Sequence, residues 1–411
     1  MSKIKNKKEK MGGRKPDYKT GKRRKIIELL LTVGVVPQKG LFLLGDPYIY
    51  AKALRKIADE GIAKEVVIQK KHMFVLNDFE NNGNKYLKDF RIGCYGYYNL
   101  YGKINAYRIA QGEKKWAQEG QRVYRQGLTL IMLYSVGVKS TSDIRPSLNQ
   151  IDVLDSPPYY FTALEVKGKK GRKKVSESVY REIDLNNDKV DADSRYMSTR
   201  AMGVLFSNGG IYSVYNIEQK NTNWVDRSEI NFSAYAYSVG MRKEMKQEDN
   251  KSRALIFYRN EKRIRDVLIG DKNKNYLSLG QCGFDRLYMI PYSREGQLLL
   301  KDMTEAGWEK KRIKEICRME NLSPDFEVNR LSIDCDGALN DTYYFFFTNC
   351  ELCRLNRFIK GARWNLGGED KFIVYCFDWQ KPGIEEFVGN AATIRVIPFD
   401  RYQNMLTENC K

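Results

Sequence analysis

The sixteen residues Asp46–Gly61, DPYIYAKALRKIADEG, constrain the chain more than any other stretch, because they specify a helix at both ends. Asp46 is a good N-cap, and Pro47 stands at the first helical position, where its missing N–H costs nothing. Gly61 suits the left-handed turn that closes a helix. Tyr50, Ala51, Leu54, Ile57 and Ala58 fall on one side, and Tyr48, Lys52, Arg55 and Lys56 fall on the other. Upstream, RRKIIELLLTVGVV reads as a helix ended by Gly34, followed by the short segment PQKGLFLLG. Downstream, AKEVVIQKKHMFVLND reads as a hairpin: strand Val66–Ile68, turn Gln69–Lys71, strand His72–Leu76. Helix, short helix, helix and β-ribbon over residues 23–80 is the layout of a winged helix-turn-helix, whose third helix enters the major groove of DNA. On that reading Tyr48, Lys52, Arg55 and Lys56 face the DNA. Lys70 and Lys71 meet phosphates at the wing tip, and His72 is a structural residue of a wing strand.

The charge of the chain points the same way. Of a formal net charge of +20, Met1–Lys25 carries +10 and Lys167–Lys174 carries +6, leaving the remainder nearly balanced. Concentrated cationic segments beside ordinary folded surface suit a polyanion, because each neutralised phosphate releases counterions. Residues 1–22 therefore read as a basic, disordered arm. Lys169, Lys170, Arg172, Lys173 and Lys174 read as a loop that clamps phosphates. The single histidine, His72, excludes the His-rich metal and relaxase sites, and the chain has no phosphate-binding loop of the G-x-x-x-x-G-K-[ST] type. Cys350-Glu-Leu-Cys353 is the only C-x-x-C and lacks a second pair, so buried thiols are expected there rather than zinc. No apolar run reaches the ~18 residues of a membrane span, and MSKIKNKKEK lacks the apolar core of a signal peptide. Eight scattered cysteines fit a reducing interior, so a cytoplasmic location is expected.

Residues 81–137 are predicted to be a polar linker and a helical connector, the helix lying in Asn105–Gly137. Tyr159–Lys167, YYFTALEVK, is predicted to be a strand. Ala201–Ser207 and Ile211–Ile217 are predicted strands joined through Asn208-Gly209-Gly210, a strong hairpin turn. Val225–Met245 reads as a helix and Ala254–Tyr258 as a strand. Over residues 138–260 the order is α-β-β-β-α-β. Beyond it, in residues 261–411, strands at Arg286–Tyr292, Phe372–Phe377 and Thr393–Pro398 alternate with helices, including the basic amphipathic stretch Trp308–Met319. Leu331–Asp334 and Tyr343–Phe347 are expected to pair. The fold class expected is a multidomain α+β and α/β chain, its winged helix followed by a mixed α/β sheet covered on both faces.

The order α-β-β-β-α-β is that of the restriction-endonuclease-like, PD-(D/E)xK core, in which two acids hold a divalent metal and a lysine orients the attacking water. Glu165 and Lys167 share a strand face at i, i+2, and Asp155 or Asp152 could supply the partner acid. Against this, Glu165 falls on the first predicted strand rather than the third, and Glu218-Gln219-Lys220 is a second match at the end of the third.

The segments RRKIIELLLTVGVVPQKGLFLLGDPYIYAKALRKIADEGIAKEVVIQKKHMFVL and RAMGVLFSNGGIYSVYNI together resemble the replication-relaxation family of plasmids and integrative elements in Gram-positive bacteria, over roughly residues 23–258. The resemblance implies a role in replication, relaxation or transfer of a mobile element, with a nuclease-like core that departs from the catalytic pattern. Double-stranded DNA is the expected partner, with a homodimer and replication or transfer proteins as further partners. Binding would need no cofactor; Mg²⁺ or Mn²⁺ would enter only if Asp155, Glu165 and Lys167 cut DNA. The competing readings are that endonuclease and a winged-helix transcription regulator.

Overall fold

The computed structural model describes residues 21–68, 70–76, 113–140, 158–167, 199–218, 224–240, 252–270, 276–324, 333–365 and 371–408. The amino-terminal unit runs α1 (Gly21–Val33), β1 (Val35–Pro37), a 3-10 helix (Gln38–Leu43), α2 (Pro47–Asp59), β2 (Ala63–Ile68) and β3 (Lys71–Leu76). Its strands form an antiparallel sheet in the order β1-β3-β2. The Asp46 carboxylate caps α2 by accepting from the backbone N–H of Tyr48 at 2.9 Å. Gly34 and Gly61, at φ of 77° and 75°, end the two helices in the left-handed region open to glycine. The hairpin is longer than the predicted one, pairing from Ala63 opposite Leu76 to Ile68 opposite Lys71, so that Lys71 is already in the strand. Met73–Leu76 are buried in succession rather than alternately, because β3 is the central strand and is covered on both faces.

A long helix, α3 (Glu113–Ser135), joins this unit to the rest of the chain. One side lies so close to β1 that a Cβ at Gly127 would stand 2.5 Å from Cδ of Pro37 and 3.1 Å from the carbonyl oxygen of Val35. Gly40 of the 3-10 helix makes the reciprocal approach, with 2.8 Å to Cδ1 of Ile131. The other side binds the central sheet. Asn216 donates to the Thr129 hydroxyl at 3.1 Å and to the Arg125 carbonyl at 3.3 Å, and Arg125 returns a bond to the Asn216 carbonyl.

That sheet has five strands in the order β4-β5-β6-β7-β8: Tyr159–Thr162, Gly203–Ser207, Gly210–Glu218, Arg253–Tyr258 and Arg286–Pro291. The first three pair antiparallel and the last three parallel. Parallel neighbours need crossovers, supplied by α5 (Asp226–Gly240) and α6 (Lys262–Ile269). The predicted strand Tyr159–Lys167 is corrected: it stops at Thr162 and turns into a short helix, α4 (Ala163–Lys167). Helices α7 (Arg294–Met303) and α8 (Trp308–Met319) follow β8.

A second sheet, in the order β9-β10-β11-β12, comprises Gly337–Leu339, Thr342–Phe346, Phe372–Phe377 and Thr393–Ile397. Its pairing sense, antiparallel then parallel twice, repeats that of β5-β6-β7-β8. The connecting helices α9 (Leu352–Trp364), α10 (Lys381–Val388) and α11 (Phe399–Glu408) stand where α5, α6 and α7 stand in the first sheet. A six-residue strand, three residues and an eight-residue helix ended by a glycine with positive φ recur at Arg253–Gly270 and Phe372–Gly389. MIPYSR (Met289–Arg294) and VIPFDR (Val396–Arg401) then match at the last strand and the start of its helix. The partner of β10 is Gly337–Leu339 and not the expected Leu331–Asp334, of which Ile333 and Asp334 are coil. The equivalent helices α6 and α10 pack together, with Gly383 against Ile264 and Arg265 paired to Glu386 at 2.6 Å. Glu351 and Cys350 cover the outer edge of β8, accepting from the backbone N–H of Leu287 at 2.8 Å and Met289 at 3.0 Å. No helix among the described residues is long and apolar enough to cross a membrane.

The approach at Gly127 makes it intolerant of a side chain. Gly127→Val is expected to lower stability by about 1–3 kcal/mol in a urea melt, because Pro37 and the Val35 carbonyl are rigid neighbours. Gly280→Ala, whose Cβ meets nothing within 4 Å, should leave the midpoint unchanged.

Candidate nucleic-acid interface

The outward side of α2 is built as the sequence predicts. Tyr50, Leu54 and Ile57 are buried, which fixes the rotation of the helix. Tyr48 is 72% exposed on the first turn, and Lys52, Arg55 and Lys56 are exposed behind it. No carboxylate among the described residues pairs with Lys52, Arg55 or Lys56. The helix is thus firmly capped and anchored, yet offers an aromatic ring and three uncompensated cations to solvent. Lys70 is exposed at the hairpin turn with φ of 64°. His72 pairs with Glu65 across the two hairpin strands at 2.9 Å, in keeping with a structural role.

Lys71 is a correction. It does not stand at the tip but turns inward to an ion pair with Glu218, the last residue of β6. The Lys71 ammonium also lies 4.7 Å from the centre of the Tyr124 ring on α3. Glu218 is 4% exposed, with φ of 43° beyond an irregularity between Asn216 and Glu218. Its N–H donates to the Asn216 side chain at 3.1 Å. The hairpin is therefore tied to the central sheet through one carboxylate. The Glu218-Gln219-Lys220 match on the third strand was the sequence signal for this position; Lys39, Tyr124 and Arg259, which surround it, carried none.

The proposed catalytic set is not assembled in the way the spacing suggested. Glu165 lies on α4, where residues two positions apart point in different directions around the axis, so the i, i+2 argument for Glu165 and Lys167 lapses. The Glu165 carboxylate accepts from the backbone N–H of Thr162 at 2.7 Å and from its hydroxyl at 3.1 Å. Thr162-Ala-Leu-Glu165 is the T-x-x-E pattern of a capping box, a reading available in the sequence. Asp152 and Asp155 lie outside the described residues, as do Lys169, Lys170, Arg172, Lys173, Lys174 and the 1–20 arm. The described residues contain no group of three or more His, Cys, Asp or Glu that could hold a metal ion. Cys350 and Cys353 are both buried, and burial pushes the Cys350 thiol up to about 12.

Comparison with protein-family models, with curated proteins and with solved structures gave no match. The functional reading therefore rests on the geometry of this chain.

A capping Glu165 has a measurable signature. Glu165→Ala should cost about 0.5–2 kcal/mol in a denaturant melt, and Glu165→Gln, which can still accept from Thr162, should recover most of it. Equal losses in both variants would contradict the capping role.

Proposed function

We propose that the protein binds double-stranded DNA, with α2 as the recognition helix of a winged helix-turn-helix and the β2–β3 hairpin as its wing. The observation that carries this reading is the outward stripe Tyr48, Lys52, Arg55 and Lys56 on a helix whose other side is locked into the core. An α-helix fits the major groove, and arginine and lysine on its outer side reach base edges and phosphates. Lys70 at the turn is placed to meet the flanking backbone. The basic arm and the loop 169–174 would add phosphate contacts that do not select sequence.

The order α3-β4-α4-β5-β6-α5-β7, which follows α-β-β-β-α-β apart from the short helix α4, supports the view that the central sheet is a PD-(D/E)xK-type core serving here as a scaffold. Winged helix, helical connector and such a core are the layout for which the chain resembles the replication-relaxation family. A role in replication, relaxation or transfer of a mobile element follows from that resemblance. Binding by α2 needs no metal, and the engagement of Glu165 at Thr162 favours binding over cleavage.

The test is fluorescence anisotropy with a random-sequence and a selected duplex at several salt concentrations. Arg55→Ala is expected to weaken duplex binding by about 1–3 kcal/mol, and Lys52→Ala to lower the salt slope by about one. Lys360→Ala, at an exposed site on α9, should change neither. Unaltered affinity in both α2 variants would overturn the assignment.

A further inference from the structure

We propose that the cleft between the amino-terminal unit and the central sheet is a phosphate-binding site, separate from the outward side of α2. It has a volume of about 380 Å³ and is lined by Gln38 and Lys39 of the 3-10 helix, Lys70, Lys71 and His72 of the hairpin, Tyr124 of α3 and Glu218 of β6. It sits at the carboxyl ends of β6 and β7, the edge at which open α/β sheets receive ligands.

The charge balance is what asks for an anion. Three lysines line the cleft, and the Arg259 guanidinium stands beside its floor, against the single carboxylate of Glu218. Nη1 of Arg259 lies 3.8 Å from Glu218, beyond hydrogen-bonding distance, and has no hydrogen-bond partner among the described residues although it is buried. Arg259 is held by this ion pair and by the Tyr292 ring, whose centre lies 5.5 Å from the guanidinium, and it adds positive potential behind the cleft rather than a donor inside it. The cations also crowd one another. Burial first, and then Arg259 and Lys71, hold the Lys39 ammonium below its usual range, with Glu218 opposing them. Tyr124 adds a neutral donor: burial, then Glu218, push its hydroxyl up to about 12, so it stays protonated.

A phosphate group suits these donors better than a monovalent anion does, because it offers several oxygens and up to two charges to lysines that approach from the 3-10 helix and the hairpin. Glu218 then acts as a placeholder. It holds Lys71 in position while the cleft is empty and competes with the incoming anion for it. The phosphate could belong to a nucleic-acid backbone or to a small polyphosphate; the chemistry that recognises it is the same. The site stands independently of whether α2 binds duplex DNA.

The test is isothermal titration calorimetry of the full chain at low salt with two probes, inorganic pyrophosphate and a short oligodeoxynucleotide without terminal phosphates. At least one probe should bind. Lys39→Glu should weaken that binding at least tenfold, and Glu218→Gln should strengthen it several-fold by removing the competing carboxylate. Strengthening cannot come from misfolding, and a thermal melt of Lys39→Glu matching the parent's checks that it is folded. Pyrophosphate binding assigns the site to small polyphosphates, and oligonucleotide binding alone assigns it to the backbone. The proposal is overturned if neither probe binds, or if binding is indifferent to both substitutions. Pyrophosphate is too small to span the α2 stripe, so its binding and its response to the two substitutions report on the cleft and are independent of the duplex measurement.

Discussion

The close packing of α3 is the constraint on which the other features depend. A helix that carries glycine at 127 can lie directly on Val35–Pro37, and no larger residue could. The same helix turns Arg125 and Thr129 toward Asn216 in β6, the middle strand of the central sheet. Buried amides of this kind hold only when every donor finds an acceptor, so the register between the two units is specified rather than merely favoured. Because β3 hangs from β1 and β1 rests on α3, this contact also decides where the hairpin reaches. It brings Lys71 and the 3-10 helix over the end of β6 and creates the cleft around Glu218.

The two sheets repeat one plan with different local chemistry. In the first hairpin Gly209 lies against the carbonyl of Met303 with no room for a side chain, and Arg253 donates to the Gly209 carbonyl at 2.8 Å. In the second, the equivalent two-residue turn is Asn340-Asp341, exposed and with positive φ at both positions, the geometry that asparagine and aspartate tolerate best after glycine. The second unit also has its own half-buried charge pairing. Arg354 on α9 holds Asp334 at 2.8 Å and pairs with Asp336, which accepts from the backbone N–H of Phe346 at 2.7 Å. The likeness of α6 to α10 and their mutual contact give the chain an internal interface between equivalent elements, of the kind that two subunits of a dimer would make.

Much of this was legible in the sequence where local signals and burial agree. Asp46-Pro47 with Gly61 marks α2, Asn208-Gly209-Gly210 marks the hairpin between β5 and β6, and the apolar runs at Ala254–Tyr258, Arg286–Tyr292 and Phe372–Phe377 are strands. The exposed side of α2 followed from its periodicity alone. The failures have a common source. YYFTALEVK keeps a strand-like alternation to its end, with Leu164 and Val166 alternating with Glu165 and Lys167, and the capping interaction between Thr162 and Glu165 wins over it. Lys71 reads as a turn residue until a partner 147 positions away is known. The repeat escapes because the connections before its matching MIPYSR and VIPFDR segments differ in length, so no constant period runs through the chain.

On the proposed reading α2 faces DNA, and the central and carboxy-terminal sheets are the scaffold behind it. Lysine acetylation footprinting by mass spectrometry, with and without duplex DNA, tests that division directly because exposed lysines are spread over both parts. Duplex DNA is expected to protect Lys52 and Lys56 strongly while Lys314 and Lys360 react at their unbound rates. Equal protection at all four positions, or protection of Lys314 and Lys360 with Lys52 and Lys56 still reactive, would contradict it.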